Sequence, residues 1–311
     1  MEALENNQFD FSVIVCCYNS DIEKLKKTLI SIYKQKRVTY EVIISDDGSR
    51  VSQEEEIKAW LIENDFNNYK LNFLNSNVGT VKNIISAVKL SSGKYIKTIS
   101  PGDYFAKEDA LEKFKQKAII SNADLVYSDT AFYNENGIVM TNDISHKNII
   151  YSKKAKKVIC YYGGYFMGAS FVATKSFYEE ILYNFEDKVI YMEDRALIYV
   201  GYILNKRIVG IKDQLIWYEY GTGISTKTTH NEKLDKDEAN IFKYIKEVYG
   251  KNRFAKRMNN MYESKKWNKL VRIFYYCFSF PFFFMYKLRI KISKPIRLTL
   301  NIDDLKDITS F

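Results

Sequence analysis

An α/β fold, with a mostly parallel central sheet flanked by helices, is predicted by three features of this 311-residue chain. Short, continuous apolar runs occur at residues 11–17 (FSVIVCC) and 40–45 (YEVIIS). Unbroken rather than alternating apolar runs are typical of strands buried on both faces of a parallel sheet. Between them, Ile22, Leu25, Leu29, Ile32 and Tyr33 recur at helical spacing. Strand, helix and strand in sequence form a βαβ unit, whose crossover is right-handed.

The same rhythm continues. Residues 54–64 read as a second helix and 69–76 (YKLNFLNS) as a third strand. Asn77-Val78-Gly79-Thr80 reads as a turn, and Val81, Ile84, Ile85 and Val88 mark one face of a third helix. A strand at 95–100 ends in Ser100-Pro101-Gly102-Asp103, since Pro and Gly interrupt regular structure. Further on, 123–129 reads as a strand and 165–181 as a strand leading into a helix. Glu193-Asp194 opens another helix, and 208–226 reads as a strand followed by a glycine-rich loop. The expected division is a catalytic domain over 1–230 and a helical, basic and aromatic region over 231–311.

Composition bounds the function. With 46% hydrophobic and 27% charged residues, the chain can bury a large core. The four cysteines, Cys16, Cys17, Cys160 and Cys277, have no metal-type spacing and read as buried thiols in a reducing compartment. The N-terminal ten residues are acidic and polar, unlike a secretory signal. The net charge of +9 is uneven: between Lys251 and Arg297 thirteen Lys/Arg face one acid, Glu263, so that stretch carries +12 and the remainder −3. A chain-wide nucleic-acid-binding surface is therefore not expected, and no nucleic acid is predicted as a partner.

In parallel sheets, ligands bind beyond the carboxyl ends of the strands. Tyr18, Asp46, Asp47 and Asp103 are all expected at that edge. A lone carboxylate after a strand suits Mg²⁺, which takes one or two carboxylates and fills its shell with substrate phosphates. The bland alternative is an ordinary turn with an exposed Asp. Lys82 and Asn83 fall in the first turn of the third helix, where the helix N-terminus favours an anion. A solvated surface lysine is the alternative there. Glu193-Asp194 either complements the helix dipole or holds a general base.

These residues, from about 11 to 226, resemble the family 2 glycosyltransferases, whose fold is termed GT-A. SVIVCCYN, EVIISDDGS, NVGTVKNI, GKYIKTISPGDYF and YMED resemble five of the family's motifs, in order. The resemblance implies a nucleotide-sugar donor, expected to be UDP-linked, and a glycan acceptor, possibly lipid-linked, with inversion at the transferred sugar. It implies that Tyr18 stacks on the base, that Cys16 touches the base through its backbone, and that Asn19 belongs to the same loop. Asp47 would accept from the uracil, with Asp46 fixing the loop. Lys82 would face the diphosphate or the nucleoside, beside Ser100 and Gly102 of the donor site. Asp103 would bind Mg²⁺ or Mn²⁺, Asp194 would act as base, and Glu193 would support it. The chain departs from the family where it keeps only Asp103 of two or three carboxylates; His230 is weighed as an additional ligand.

The tail adds a second expectation. Residues 273–286 (IFYYCFSFPFFFMY) carry no charge, are interrupted by Pro281, and have basic residues on both sides. Fourteen residues are too few for a spanning helix, which needs about 20. Residues 264–297 are therefore expected to lie on an anionic membrane surface, which places the protein in the cytoplasm, peripheral to the inner face of a bacterial cell membrane, in polysaccharide or glycoconjugate synthesis. A helical hairpin packed on the catalytic domain is the alternative. Three other readings compete. A dinucleotide-dependent oxidoreductase needs Gly-x-Gly-x-x-Gly after the first strand, where this chain has Cys16-Cys17-Tyr18-Asn19. A non-catalytic module binding RNA or membrane through the basic tail would leave Glu193-Asp194 and Asp46-Asp47 without a purpose, while an inactive relative of the same fold, binding nucleotide or membrane, is compatible with the reduced acidic motif.

Overall fold

The computed structural model describes residues 8–134, 137–141, 168–223, 231–281, 284–285 and 300–311. Nine strands form one sheet among them: β1 (Phe9–Cys17), β2 (Tyr40–Asp46), β3 (Tyr69–Phe73), β4 (Gly93–Ile99), β5 (Tyr104–Phe105), β6 (Leu125–Asn134), β7 (Gly137–Thr141), β8 (Phe171–Thr174) and β9 (Ile208–Glu219). Their order is β3-β2-β1-β4-β8-β6-β9-β5, with β7 beside β6. The first half is parallel, β1 pairing with both β2 and β4, and β2 with β3. The second half is mixed: β8 runs antiparallel to β4 and β6, while β9 runs parallel to β6.

Both faces of the sheet are covered, which explains the unbroken apolar strands. Ile14, Ile43 and Ile96 point to one side, against α3 (Thr80–Leu90), α5 (Lys175–Leu182) and α6 (Glu193–Ile203). Val13, Val15, Val42 and Ile44 point to the other, against α1 (Ile22–Tyr33), α2 (Glu54–Glu63) and α4 (Ala110–Ser121). Each such side chain contributes roughly 1.5–3 kcal/mol on burial. Asp21 caps α1 by accepting from the Glu23 and Lys24 amides. Helix α4, strand β7 and the short β5 lie where the sequence pattern showed no element.

Among the described residues, the segment after residue 230 is helical, as expected, and its first two helices share the main core. Helices α7 (Glu232–Tyr249) and α8 (Arg253–Glu263) bring Ile241, Phe242, Ile245, Ala255 and Met258 into the cluster that holds α3, α5 and α6. Helix α9 (Lys269–Ser279) rests on α8 through Tyr276, Phe280 and Met261. Helix α10 (Ile302–Thr309) returns to the sheet, where Leu300, Leu305 and Ile308 pack with Tyr104, Tyr133 and Trp217. Of the cysteines, Cys17 is buried, Cys16 and Cys277 are half-buried, and Cys160 lies outside the described residues.

At the base of the sheet, β4 begins at Gly93, whose amide donates to Ser12 Oγ at 2.8 Å while Ser12 Oγ donates to buried Glu41 at 2.6 Å. A Cβ at Gly93 would come within 2.3 Å of the Ser12 nitrogen, a backbone atom that cannot rotate away. Gly93→Ala is expected to cost about 1–3 kcal/mol, as overpacking does. A lower urea midpoint at unchanged m-value checks it.

Candidate active site

The site is built from loops that leave the parallel edge together. Cys16 pairs with Ser45 and Val15 with Ile99, so β1, β2 and β4 end within a residue or two of one another. The loop after β1 is sewn to the loop after β2. The Asn19 amide donates to Ser49 Oγ at 2.6 Å, and Asn19 Oδ1 accepts from the Arg50 amide at 3.0 Å. Asn19 holds φ +46°, a conformation Asn tolerates better than most residues. Asp46 closes the second loop by accepting from the Ser49 amide and hydroxyl, at 2.7 and 2.6 Å.

Asp47 ties that loop to the third. Its carboxylate accepts from the Val78 amide at 2.8 Å, the Gly79 amide at 3.0 Å and Asn77 Nδ2 at 3.0 Å. Burial raises its pKa, and the two amides pull it back. Gly48 sits where a Cβ would lie 2.2 Å from the Ser76 carbonyl carbon, so the two loops touch through backbone.

The fourth loop carries Asp103. Gly102, at φ +97°, donates its amide to Thr28 Oγ1 at 3.1 Å, and its carbonyl accepts from the Tyr133 hydroxyl. Asp103 is buried, with Oδ1 accepting from the Glu219 amide at 3.1 Å. Burial pushes its carboxyl up to about 7. Two charged side chains lie close by that the sequence pattern did not single out. Lys97, inside β4, is fully buried, donates to the Thr98 and Ala169 carbonyls, and is pushed down to about 7 by that burial. Glu219, ending β9, pairs with Lys24 and accepts from Thr222 Oγ1 at 3.2 Å.

Opposite these loops, α6 presents Glu193 and Asp194 in its first turn. The Glu193 carboxylate lies against Gly168, where a Cβ would meet Oε1 at 2.7 Å. Asp194 Oδ1 accepts from the Arg195 amide at 2.6 Å. Burial raises both carboxyls, Glu193 to about 8, where the Asp194 charge adds to the burial. The nearby Arg195 charge and amide work against the rise at Asp194, so Asp194 gives up its proton first.

One cavity of about 570 Å³ joins these parts, a size suited to a small-molecule ligand. Cys16, Tyr18, Ser100, Asp103, Glu193 and Asp194 all line it. Tyr18 is 47% exposed, leaving a ring face free for stacking. Arg195, Tyr218 and Thr222 also line it, none of them anticipated from sequence. Asn19, Asp46, Asp47, Gly102 and Lys82 do not line it. The first four hold the loops around it. Lys82 pairs at the surface with Asp187 at 2.9 Å. His230 lies outside the described residues.

Comparison with known proteins gives this arrangement a family. Residues 12–182, just over half the chain, match the sequence profile of Glycosyl transferase family 2. The chain belongs to glycosyl transferase family 2. An uncharacterized glycosyltransferase of Mycoplasma genitalium is 27% identical over 230 residues, 72% of each chain. Among solved structures, residues 1–349 of Staphylococcus aureus TarS in complex with UDP-GlcNAc superpose with a TM-score of 0.60 at 19% identity, covering 85% of this chain and 78% of that one. The mannosyltransferase PcManGT of Pyrobaculum calidifontis, in complex with GDP-Man and Mn²⁺, superposes with a TM-score of 0.56 at 13% identity, covering 77% and 65%. The fold is GT-A, a curled mixed sheet between helices with further helices at its C-terminal end.

Among the described residues of this family 2 chain, no three His, Cys, Asp or Glu side chains cluster as a metal cage. Asp103 fits a different arrangement, a single buried carboxylate facing the cavity, which a cation would share with phosphates and water. Its raised pKa sets a sign. Between the unfolded value near 3.8 and about 7, the folded chain holds the extra proton, so this group's contribution to stability falls as pH rises. Asp103→Asn removes that dependence. Without ligand, its melting temperature should gain on the native chain as pH rises from about 4 to about 7, followed by thermal unfolding at several pH values.

Proposed function

We propose that this chain transfers a sugar from a UDP-linked donor to a hydroxyl of a glycan or lipid-linked glycan, with inversion, and that Asp194 is the base. One observation carries the reading: Asp194, from α6, and Asp103, from the sheet edge, face the same cavity that Tyr18 enters. TarS in complex with UDP-GlcNAc and with UDP favours a uridine nucleotide here.

The donor's base stacks on Tyr18, and its diphosphate lies toward Ser100 and Asp103. Asp103 would hold a Mg²⁺ or Mn²⁺, which would supply positive charge to offset the charge of the departing diphosphate. The acceptor hydroxyl gives its proton to the Asp194 carboxylate as its oxygen bonds to the anomeric carbon. On the opposite face, the bond from that carbon to the phosphate oxygen breaks, and the electron pair leaves with UDP. The displacement inverts the carbon. Burial and the Asp194 charge favour the protonated form of Glu193, which leaves Asp194 as the charged member of the pair. Lys97 adds positive charge beneath the Asp103 loop when protonated.

The surface of α9 supports a lipid-linked acceptor. Its outward stripe exposes Trp267 (44%), Leu270 (67%), Phe274 (65%) and Phe278 (83%), while Tyr276 faces the protein. Lys265 and Lys266 precede the stripe and pair with Glu238 and Glu263, Lys269 opens the helix, and no acidic residue occurs between Glu263 and Asp303. An apolar stripe with a cationic rim fits the headgroup layer of an anionic membrane. Among the described residues, no helix is long and apolar enough to cross one. In this reading the protein sits on the inner face of a bacterial membrane, where a lipid-linked acceptor is presented to the cavity, in glycoconjugate or surface-polysaccharide synthesis.

Two experiments test these parts separately. A thermal-shift screen of UDP-, GDP- and dTDP-sugars, with and without Mn²⁺, selects the donor. With that donor, Asp194→Asn should keep UDP affinity while transfer falls by about 10²–10⁴-fold. Unchanged transfer would remove Asp194 from the role. For the membrane, serine at Leu270, Phe274 and Phe278 together should leave melting unchanged and weaken co-sedimentation with phosphatidylglycerol vesicles by at least about tenfold. Deleting the whole tail is the poorer test, because it strips Leu305 and Ile308 from the core.

A further inference from the structure

The first turn of α6 supplies an acceptor of its own, the Asp194 carboxylate that takes the Arg195 amide. Met192 occupies the N-cap position, and its side chain offers no hydrogen bond to the first-turn amides. Helix starts leave amides that need acceptors, and a buried start without them is costly. The three amides that lead into that turn take their acceptor from a different helix. Asp237 of α7 is 2% exposed, and its carboxylate collects three consecutive amides just before the acid pair. Ile190 donates at 3.0 and 3.1 Å to its two oxygens, Tyr191 at 2.6 Å and Met192 at 3.3 Å. Successive amides converging on one anion form a nest.

The neighbours of Asp237 grip the same segment. Glu238 accepts from the Arg195 guanidinium at 3.0 Å, and Asn240 Nδ2 donates to the Lys188 carbonyl at 2.7 Å. From the other side, the Ile190 carbonyl accepts from the Val81 amide at the start of α3 at 3.0 Å. Residues 188–195 are thus held between α3 and α7. Leu234, from the first turn of α7, reaches the cavity wall itself.

We infer that Asp237 is a positioning residue for sugar transfer: its carboxylate fixes the 190–192 backbone so that Glu193 and Asp194 enter the cavity in one geometry. The inference rests on the reading of Asp194 as base. It gives α7, which lies beyond the stretch matched by the family profile, a part in the reaction. A displacement of about 1 Å at a catalytic group can lower rate on the order of 10²-fold, so a carboxylate that touches no substrate can still control turnover.

Asp237→Asn tests this in the full-length chain. The amide has nearly the same shape, but its NH₂ group must face backbone donors instead of accepting from them. Expected is a kcat about 10–100-fold lower for UDP release from UDP-GlcNAc with Mn²⁺. The donor KM and the UDP dissociation constant should stay within about twofold, and amide exchange should quicken at residues 190–195 alone. A raised KM at unchanged kcat, or unchanged kinetics, overturns the inference. Asp194→Asn is measured alongside. If it keeps full turnover, the reading of the base falls and this inference with it. If it loses turnover while Asp237→Asn does not, only this inference falls. Should Asp237→Asn fail to fold, hydrogen exchange on the unaltered chain decides. Amides of residues 190–192 as protected as the core of α6 support the clamp, and amides exchanging as freely as the exposed 50–52 loop overturn it.

Discussion

The constraint on which the structure depends is the confinement of β1 between two parallel partners. β1 pairs with β2 over residues 11–17 and with β4 over residues 9–15, and side chains cover both of its faces. Its register has no freedom, because a slip of one residue would exchange the side chains of the two cores. With the register fixed, three chains reach the sheet's edge together and must turn there. The turns satisfy one another: Asn19 binds Ser49 and Arg50, Asp46 binds Ser49, and Asp47 binds the amides of residues 78 and 79. The cavity is what remains where these turns meet the start of α6.

Acidic groups at this rim divide into two kinds. Asp46 and Asp47 have their oxygens occupied by donors of the loops, and they stiffen the walls. Asp103 and Glu193 are pushed up to about 7 and 8 because burial outweighs the donors and charges around them, a condition frequent at functional sites. Lys97 answers them from beneath, its own protonation weakened by the same burial. Charge in the site is therefore held in poor solvation, where an arriving ion or diphosphate interacts more strongly than it would in water.

The architecture was legible wherever burial imposed a period. β1 carries an unbroken apolar run, β2 and β4 are rich in β-branched residues, and α1 and α3 repeat at helical spacing, because each meets a packed core. Six of the site residues read from motifs, Cys16, Tyr18, Ser100, Asp103, Glu193 and Asp194, share one cavity. Lys97 and Glu219 were not legible, since a charge inside a strand reads as solvent-facing until the opposite layer is known. Asp237 hides for the same reason: it interrupts the apolar stripe of α7 formed by Leu234, Ile241 and Ile245. Lys82 shows the reverse case. Its place at a helix start suggested an anion site, and in the structure it stands at the surface outside the cavity, paired with the exposed Asp187.

Helix α10 closes a cluster whose first members lie some two hundred positions earlier in the polypeptide. Leu300, Leu305 and Ile308 lie on Tyr104, Tyr133 and Trp217, and Phe311 reaches the Trp60 ring at 6.2 Å. During synthesis these aromatic side chains emerge from the ribosome long before their cover does. At translation rates of about 5–20 residues per second, the patch stays open for many seconds. The nascent sheet is then adhesive at that corner, a natural place for a chaperone to bind until translation delivers its lid.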